Sequence, residues 1–304
     1  MLGALGVAFV DEKTLISAGS DQTLLQWTFG GAAPRDAEAK LDLVGPAEEL
    51  AYSPRPHLLV ATLGGPIGQP GPTGQIACWK WDRQTRTLAK IEPLLTAPGE
   101  GMPDHALFGL AVSPSESLFV AFRNSPAKVY DLPRQLFDLD GSQMEALAFA
   151  PDGQTLFGRR VSDKCVSQWR NLRAKPEKTD ILSECPATAL AATPDKKLVT
   201  GGPDGLVQVW DLAKPDPMSA MLGRLGTAVA RLTVAPDGKT AAGFDRGSRV
   251  AWWDLSTGEK LGGYDSPGPV YGLTFAPDSR HLAVAHGNGA IYMIRLSGSH
   301  PKSP

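Results

Sequence analysis

One pattern limits what this chain can fold into: a turn and a bulky residue recur together, in phase, at intervals near forty residues. The turn is marked by Asp11, Pro54, Pro114, Pro151, Pro194, Pro236 and Pro277. The second marker ends a short apolar run and is Trp27, Trp79, Tyr130, Trp169, Trp210, Trp253 and Ile294, with spacings of 52, 51, 39, 41, 43 and 41 residues. Seven copies at such a period are the signature of a closed array of supersecondary units, none of which can bury its apolar face alone.

Residues 194–212 show the unit at its most regular. Pro194 fixes φ in a first turn, and Asp195 is placed to bond nearby backbone. Leu198 to Thr200 reads as a strand. Pro203-Asp204-Gly205 is a second turn in which glycine supplies φ > 0, and Leu206 to Trp210 is a further strand. With a short strand ahead (Thr188 to Thr193) and another behind, each unit has four strands. The expected fold is therefore all-β, a single closed array of seven four-stranded units over residues 1–296. Its units fall at about 4–44, 48–91, 106–140, 144–184, 187–225, 228–264 and 269–296, with a tail at 297–304. The last unit lacks an obvious fourth strand, because Ser-Gly-Ser-His-Pro-Lys-Ser-Pro follows Leu296 and its Pro and Gly make a poor strand. Only Met1 to Ala4 precede the first strand, so either a longer parent chain supplies upstream residues that close the last unit, the leading expectation, or the ring tolerates an open edge.

Ala-Pro-Asp-Gly-Lys at 235–239, Pro-Asp-Gly at 203–205 and Trp-Asp-Leu at 210–212 and 253–255 resemble WD40 repeats; the resemblance covers residues 4–296 and implies a seven-bladed β-propeller. The Asp-Gly turns and the Gly-Asn-Gly-Ala-Ile-Tyr at 287–292 are similar to those of bacterial WD40 proteins. The resemblance implies structural roles for Trp27, Trp79, Trp169, Trp210 and Trp253. The Gly-His pair that usually opens the family's repeat is absent from all seven copies. The family's buried His–Ser/Thr–Trp–Asp network therefore lacks its His, with Thr200, Trp210 and Asp204 left to keep part of it.

The 30 Lys and Arg against 32 Asp and Glu give a net charge of −2, which argues against a nucleic-acid partner or an anionic membrane surface. Apolar runs such as Leu147 to Ala150 are strand length, far short of a membrane span. Cys78, Cys165 and Cys185 are odd in number and form no Cys-x-x-Cys pair, so neither a disulfide framework nor zinc is expected. Free thiols and the absence of a signal peptide predict a cytoplasmic, monomeric propeller.

The resemblance also implies that the loops between second and third strands, and those between blades, emerge on one face, the top. Blade 2 carries expansions of both types, at Thr62 to Thr73 and Pro93 to His105. Candidate binding residues on that face are His105, Arg123, Asn124, Arg159, Arg160, Arg246, His286 and Asn288. The arginines fit an acidic protein or peptide partner, with Glu48, Glu49 and Asp163 as counter-charges on the rim. No Gly-x-Ser-x-Gly elbow occurs, and Gly68 to Gly74 lacks the Lys-Ser/Thr of a phosphate loop. No catalytic set, metal or cofactor is expected. The leading reading is a non-catalytic interaction scaffold. The alternative is a propeller enzyme or small-ligand sensor with its site at the top channel mouth.

Overall fold

A computed structural model describes residues 3–29, 37–64, 75–96, 109–123, 125–214, 217 and 219–296. Blade 1 is β1 (Ala4–Phe9), β2 (Thr14–Gly19), β3 (Thr23–Thr28) and β4 (Ala39–Asp42). Blade 2 is β5 (Ala47–Ser53), β6 (Leu58–Leu63), β7 (Gln75–Asp82) and β8 (Thr87–Thr96). Blade 3 is β9 (Gly109–Val112), β10 (Leu118–Arg123), β11 (Ser125–Asp131) and the first half of β12 (Arg134–Phe149). Blade 4 takes the second half of β12, then β13 (Leu156–Arg160), β14 (Val166–Arg170) and β15 (Glu177–Leu182). Blade 5 is β16 (Ala189–Ala192), β17 (Lys197–Gly201), β18 (Leu206–Asp211) and β19 (Ser219–Arg224). Blade 6 is β20 (Val229–Val234), β21 (Thr240–Asp245), β22 (Arg249–Asp254) and β23 (Lys260–Asp265). Blade 7 has three strands among the described residues, β24 (Val270–Phe275), β25 (His281–His286) and β26 (Ile291–Arg295).

All pairing within blades is between antiparallel neighbours. Blades 3 and 4 form one seven-stranded sheet because β12 runs unbroken from the edge of one to the innermost place in the other. The gap expected between residues 140 and 144 lies inside this strand. The innermost strands pack in ring order, and β24 lies against β1, so the array closes on itself. The result is a seven-bladed propeller.

The recurring Asp in the first turn has a visible cause. Asp152 Oδ1 accepts the Gln154 and Thr155 amides at 2.8 and 2.9 Å, and Asp278 Oδ1 accepts those of Arg280 and His281 at 2.8 and 3.1 Å. The residue after the Asp has φ near +74° at Gly153 and Gly238, and the same conformation is forced on Lys196 (61°) and Ser279 (58°). Glycine takes it without the Cβ penalty the other two carry.

Packing runs between blades. Each third-strand marker sits in a cluster shared with the preceding blade, and Trp253, Trp169, Trp79 and Tyr130 are 1–3 % exposed. Cutting one such buried Trp to Ala costs about 3–5 kcal/mol, a large part of a typical domain's stability. Trp252 and Trp253 divide between two clusters, one on each side of β22.

Candidate functional site

The inner strands start at the top, where the chain enters each blade, and run to the first turns at the bottom. Five of them carry a β-bulge at the same place, just inside the top mouth. The register jumps at Ala4/Gly6, Ala47/Glu49, Met144/Ala146, Val229/Arg231 and Val270/Gly272. Bulges re-aim the next side chain and cluster at barrel rims. The aligned residues just past them are Gly6, Glu49, Ala146, Arg231 and Gly272.

Two of these are charged, and they meet. Glu49 of blade 2 and Arg231 of blade 6 form an ion pair across the channel, passing the intervening blades 7 and 1. Those two blades hold glycine at the aligned position. A Cβ on Gly6 would stand 2.7 Å from Leu50 Cβ, and one on Gly272 would stand 3.2 Å from the Leu5 carbonyl oxygen. Glu49 is only 5 % exposed, and its Oε2 has no hydrogen-bond partner. Burial pushes its pKa up, against the pull of Arg231 and the Leu110 amide. The sequence placed Glu49 on the wet rim; the structure places it inside. A cavity of about 490 Å³ adjoins the pair, lined by the inner strands of blades 1, 2, 6 and 7 and reaching Asp11, Glu12, Arg83 and Pro236 near the first turns.

The top-face candidates do not form one patch. Arg159 is 8 % exposed and fully engaged. Its Nε donates to the Ala187 carbonyl at 2.6 Å, its Nη1 to those of Asp163 and Arg160 at 2.7 and 3.2 Å, and its Nη2 lies 3.4 Å from Glu145. It ties the blade 4–5 loop to its own turn instead of facing solvent. Arg160 is 2.5 Å from Asp163. Burial would raise the Asp163 pKa, but the Ser162 hydroxyl and Arg160 hold it below the usual carboxylate range.

His286 is also internal, at 1 % exposure. Its Nδ1 lies 2.9 Å from Ser266 Oγ, its Nε2 3.3 Å from the Tyr264 hydroxyl, and its ring 4.2 Å from that of Tyr292. Burial lowers its pKa. Asp245 occupies the same register position in blade 6, where it accepts the Thr227 and Arg249 amides at 2.8 Å each. Both residues fasten an incoming loop to the end of a second strand.

Arg246 and Asn288 are exposed in adjacent top turns, and Asn288 Oδ1 accepts the Ala290 amide at 3.0 Å. Arg123 ends β10, and its side chain is not described; Asn124 and His105 lie outside the described residues, as do most of the two expansions. Among the described residues no cluster of His, Cys, Asp or Glu has metal-binding geometry, and no helix is long and apolar enough to cross a membrane. The cysteines are free, Cys78 and Cys185 buried and Cys165 half-buried.

Half of the expected Trp network is present. Trp27 Nε1 donates to Ser17 Oγ at 2.8 Å and Trp210 Nε1 to Thr200 Oγ1 at 2.9 Å. In blade 6 the hydroxyl position is Gly243, and Trp253 Nε1 is buried without a partner. Asp204 takes no part in this network. It accepts the Leu206 amide at 3.1 Å and Arg224 Nη1 at 2.8 Å.

Residues 179–211, from the outer strand of blade 4 through the third strand of blade 5, match the family described as WD40, WD domain, G-beta repeat. The chain is 29% identical to Protein groucho of Drosophila melanogaster over 160 residues, 51% of this chain and 21% of that protein. It is 25% identical to Transducin-like enhancer protein 2 of Mus musculus over 276 residues, 82% of this chain and 35% of that one. Small ribosomal subunit protein RACK1 of Caenorhabditis elegans is 29% identical over 131 residues, 42% and 35% of the two chains. The chain spans less than two thirds of the length of these curated relatives, and they are animal proteins, not bacterial ones. It is a seven-bladed β-propeller that carries a WD40 repeat match in its most regular blade and is similar over most of its length to Transducin-like enhancer protein 2.

Proposed function

We propose that this propeller is a non-catalytic scaffold that docks a protein partner on its top face, as a single copy. The observation that carries the reading is the distribution of exposed apolar groups. Val44, Val161 and Tyr271, 56 %, 51 % and 41 % exposed, all stand at the top, in a loop between blades, a second turn and a bulge. Among the described residues one such group, Leu136, lies near the bottom turns, and the other four, Leu41, Met221, Tyr292 and Met293, lie on the outermost strands of their blades around the circumference. Tyr and Arg are enriched at interfaces, and Arg246 stands on the blade next to Tyr271. Its exposed guanidinium suits an acidic group on the partner. Arg123, at the end of β10, lies at the same end.

The ion pair of Glu49 and Arg231 spans the channel just inside this face, which favours recognition by surface over a substrate pocket at the top mouth. The test uses a photo-crosslinking residue at Val161 or at Leu136 to capture and identify the partner. With that partner in hand, Tyr271→Asp and Arg246→Glu should each weaken binding by about tenfold, a loss of about 1.4 kcal/mol, while Arg83→Glu at the bottom leaves it unchanged. Capture from Leu136 alone, or top-face variants that bind as the parent does, would overturn the assignment.

A further inference from the structure

The cavity in the channel is walled by strand edges. In blades 1, 2, 6 and 7 the innermost strand pairs on its outer side only, so alternate backbone N–H and C=O groups face the axis. The Val10 and Ala276 amides turn outward and donate to the Thr14 and His281 carbonyls at 3.0 and 2.8 Å. With a regular register above them, the backbone groups of Phe9 and Phe275, and of Val7 and Leu273, face the channel. The four strands also align side chain by side chain. One row holds Gly6, Glu49, Arg231 and Gly272, and the row two residues on holds Ala8, Ala51, Thr233 and Thr274. Both rows line the cavity of about 490 Å³, a volume within the range of small-molecule sites. Blades 1 and 2 contribute only alanine to the second row, which leaves room beside the two threonines.

The ion pair at the top of this space is asymmetric. The Glu49 side chain is 6 % exposed and that of Arg231 35 %, so the cavity meets the guanidinium and not the carboxylate. Arg231 reaches Glu49 through Nη2, and among the described residues its guanidinium has no other partner. Five N–H groups lie in the plane of a guanidinium, and one bond to Glu49 leaves a two-pronged edge unused. One row below, the Thr233 hydroxyl has no partner among the described residues, and that of Thr274 makes only a 3.5 Å contact with the Phe275 carbonyl. Exposed Pro54, Pro236 and Pro277 line the lower end, so the cavity opens through the first turns. That mouth is mixed in charge, with Asp11 and Glu12 against Arg83, and the sign is set inside.

We propose that the channel below the Glu49–Arg231 bridge is a binding site for a small polyhydroxylated carboxylate. Its carboxylate takes the open edge of Arg231, with Glu49 holding the guanidinium in position; a planar fork matches a carboxylate in geometry as well as in charge. An amine is disfavoured, because the charged group the ligand meets is itself a cation. The hydroxyls bond Thr233, Thr274 and the carbonyls of the strand edges, groups that a plain hydrocarbon chain would strip of water and leave unpaired. Bound there, the ligand touches inner strands of blades 6, 7, 1 and 2 at once, and it stabilises the closed ring by mass action. The site lies inside the channel and stands or falls independently of docking on the top face.

The probe is gluconate, titrated into the full chain by calorimetry at neutral pH. Sorbitol, which has the hydroxyls without the carboxylate, and hexanoate, which has the carboxylate without the hydroxyls, are the controls. Saturable one-to-one binding of gluconate is expected, with slowed amide exchange at Phe9 and Phe275. Each control should bind about tenfold more weakly or worse, the scale of one charge-assisted hydrogen bond or of two neutral ones. Thr233→Val combined with Thr274→Val keeps the shape of both side chains and should weaken gluconate by about tenfold. Glu49→Leu combined with Arg231→Met replaces the pair by apolar groups, which guards against the misfolding that a lone buried charge invites; with unchanged circular dichroism it should bring gluconate down to the level of sorbitol. No saturable binding of gluconate overturns the proposal, and so does sorbitol or hexanoate binding as tightly as gluconate does. Gluconate binding that survives both double variants, or that slows no exchange at Phe9 and Phe275, overturns it as well.

Discussion

Arg231→Ala is the perturbation with the most to say about the channel. It leaves the Glu49 carboxylate, whose side chain is 6 % exposed, without its counter-charge. Removing one partner of a buried pair costs about 3–5 kcal/mol. The Arg231 side chain is 35 % exposed, and screening on that side lowers the expectation to about 2–4 kcal/mol. An unfolding entropy of about 2.1 cal/mol/K per residue over 304 residues is about 0.6 kcal/mol/K, so the melting temperature should fall by about 3–6 °C. The pH dependence has a definite sign. Burial raises the Glu49 pKa, and the variant loses the Arg231 charge that opposed this. A carboxyl whose folded pKa lies above its unfolded value binds more protons folded than unfolded between the two, so stability rises as pH falls through that window. The deficit of Arg231→Ala should therefore shrink as the pH is lowered toward the ordinary carboxylate range in paired calorimetric melts. Replacing the pair together, as Glu49→Leu with Arg231→Met, should recover most of the loss. A deficit that grows in acid, or a single variant that melts with the parent, would show that the pair is solvated and that the channel is not bridged.

Further outcomes follow from the same geometry. Thr200→Val removes the acceptor of Trp210 Nε1 and should cost about 1–2 kcal/mol in denaturant melts; an unchanged midpoint would mean the indole finds water. Gly243→Ser, which offers Trp253 the hydroxyl present in blades 1 and 5, should destabilise, because its Cβ falls 2.8 Å from the Arg231 carbonyl oxygen; a higher melting point would refute this. Burial pushes the Cys78 thiol up to about 12, so maleimide should label half-buried Cys165 first, and early adducts on Cys78 by mass spectrometry would contradict the structure. The folded pKa of His286 lies below the ordinary 6.5, so the stability it contributes is present above that value and lost as pH falls from it; His286→Asn should flatten the acid limb of the melting curve, and an identical slope would assign the loss elsewhere.

The turns and markers were legible because their causes are local. Asp152 and Asp278 cap their own turns, and Gly153 and Gly238 meet a backbone conformation set within four residues. The three-stranded last blade was legible for the same reason. The channel pair was not, since nothing near Glu49 or Arg231 in sequence says that blades 2 and 6 face each other. Arg159 was misplaced by reading it as part of a loop. Its register partners elsewhere are Ala18, Thr62, Phe244 and Ala285, all buried. Aligned by strand, that column is core, and an arginine in it must be bonded internally. His286 misled in the same way, because the aligned Asp245 is a buried tie.

The Glu49–Arg231 bridge has a kinetic consequence. Its partners come from β5, early in the chain, and β20, late in it, and they can meet only when blades 6, 7, 1 and 2 stand in their final order. A contact of such long sequence separation forms after the costly loop closures, not before them. Its energy is then missing from the folding transition state and acts almost wholly on the rate of opening. The bridge should hardly affect how fast the circle forms, and should lengthen the time it stays shut across the junction of β1 with β24, beside the blade that has three strands among the described residues.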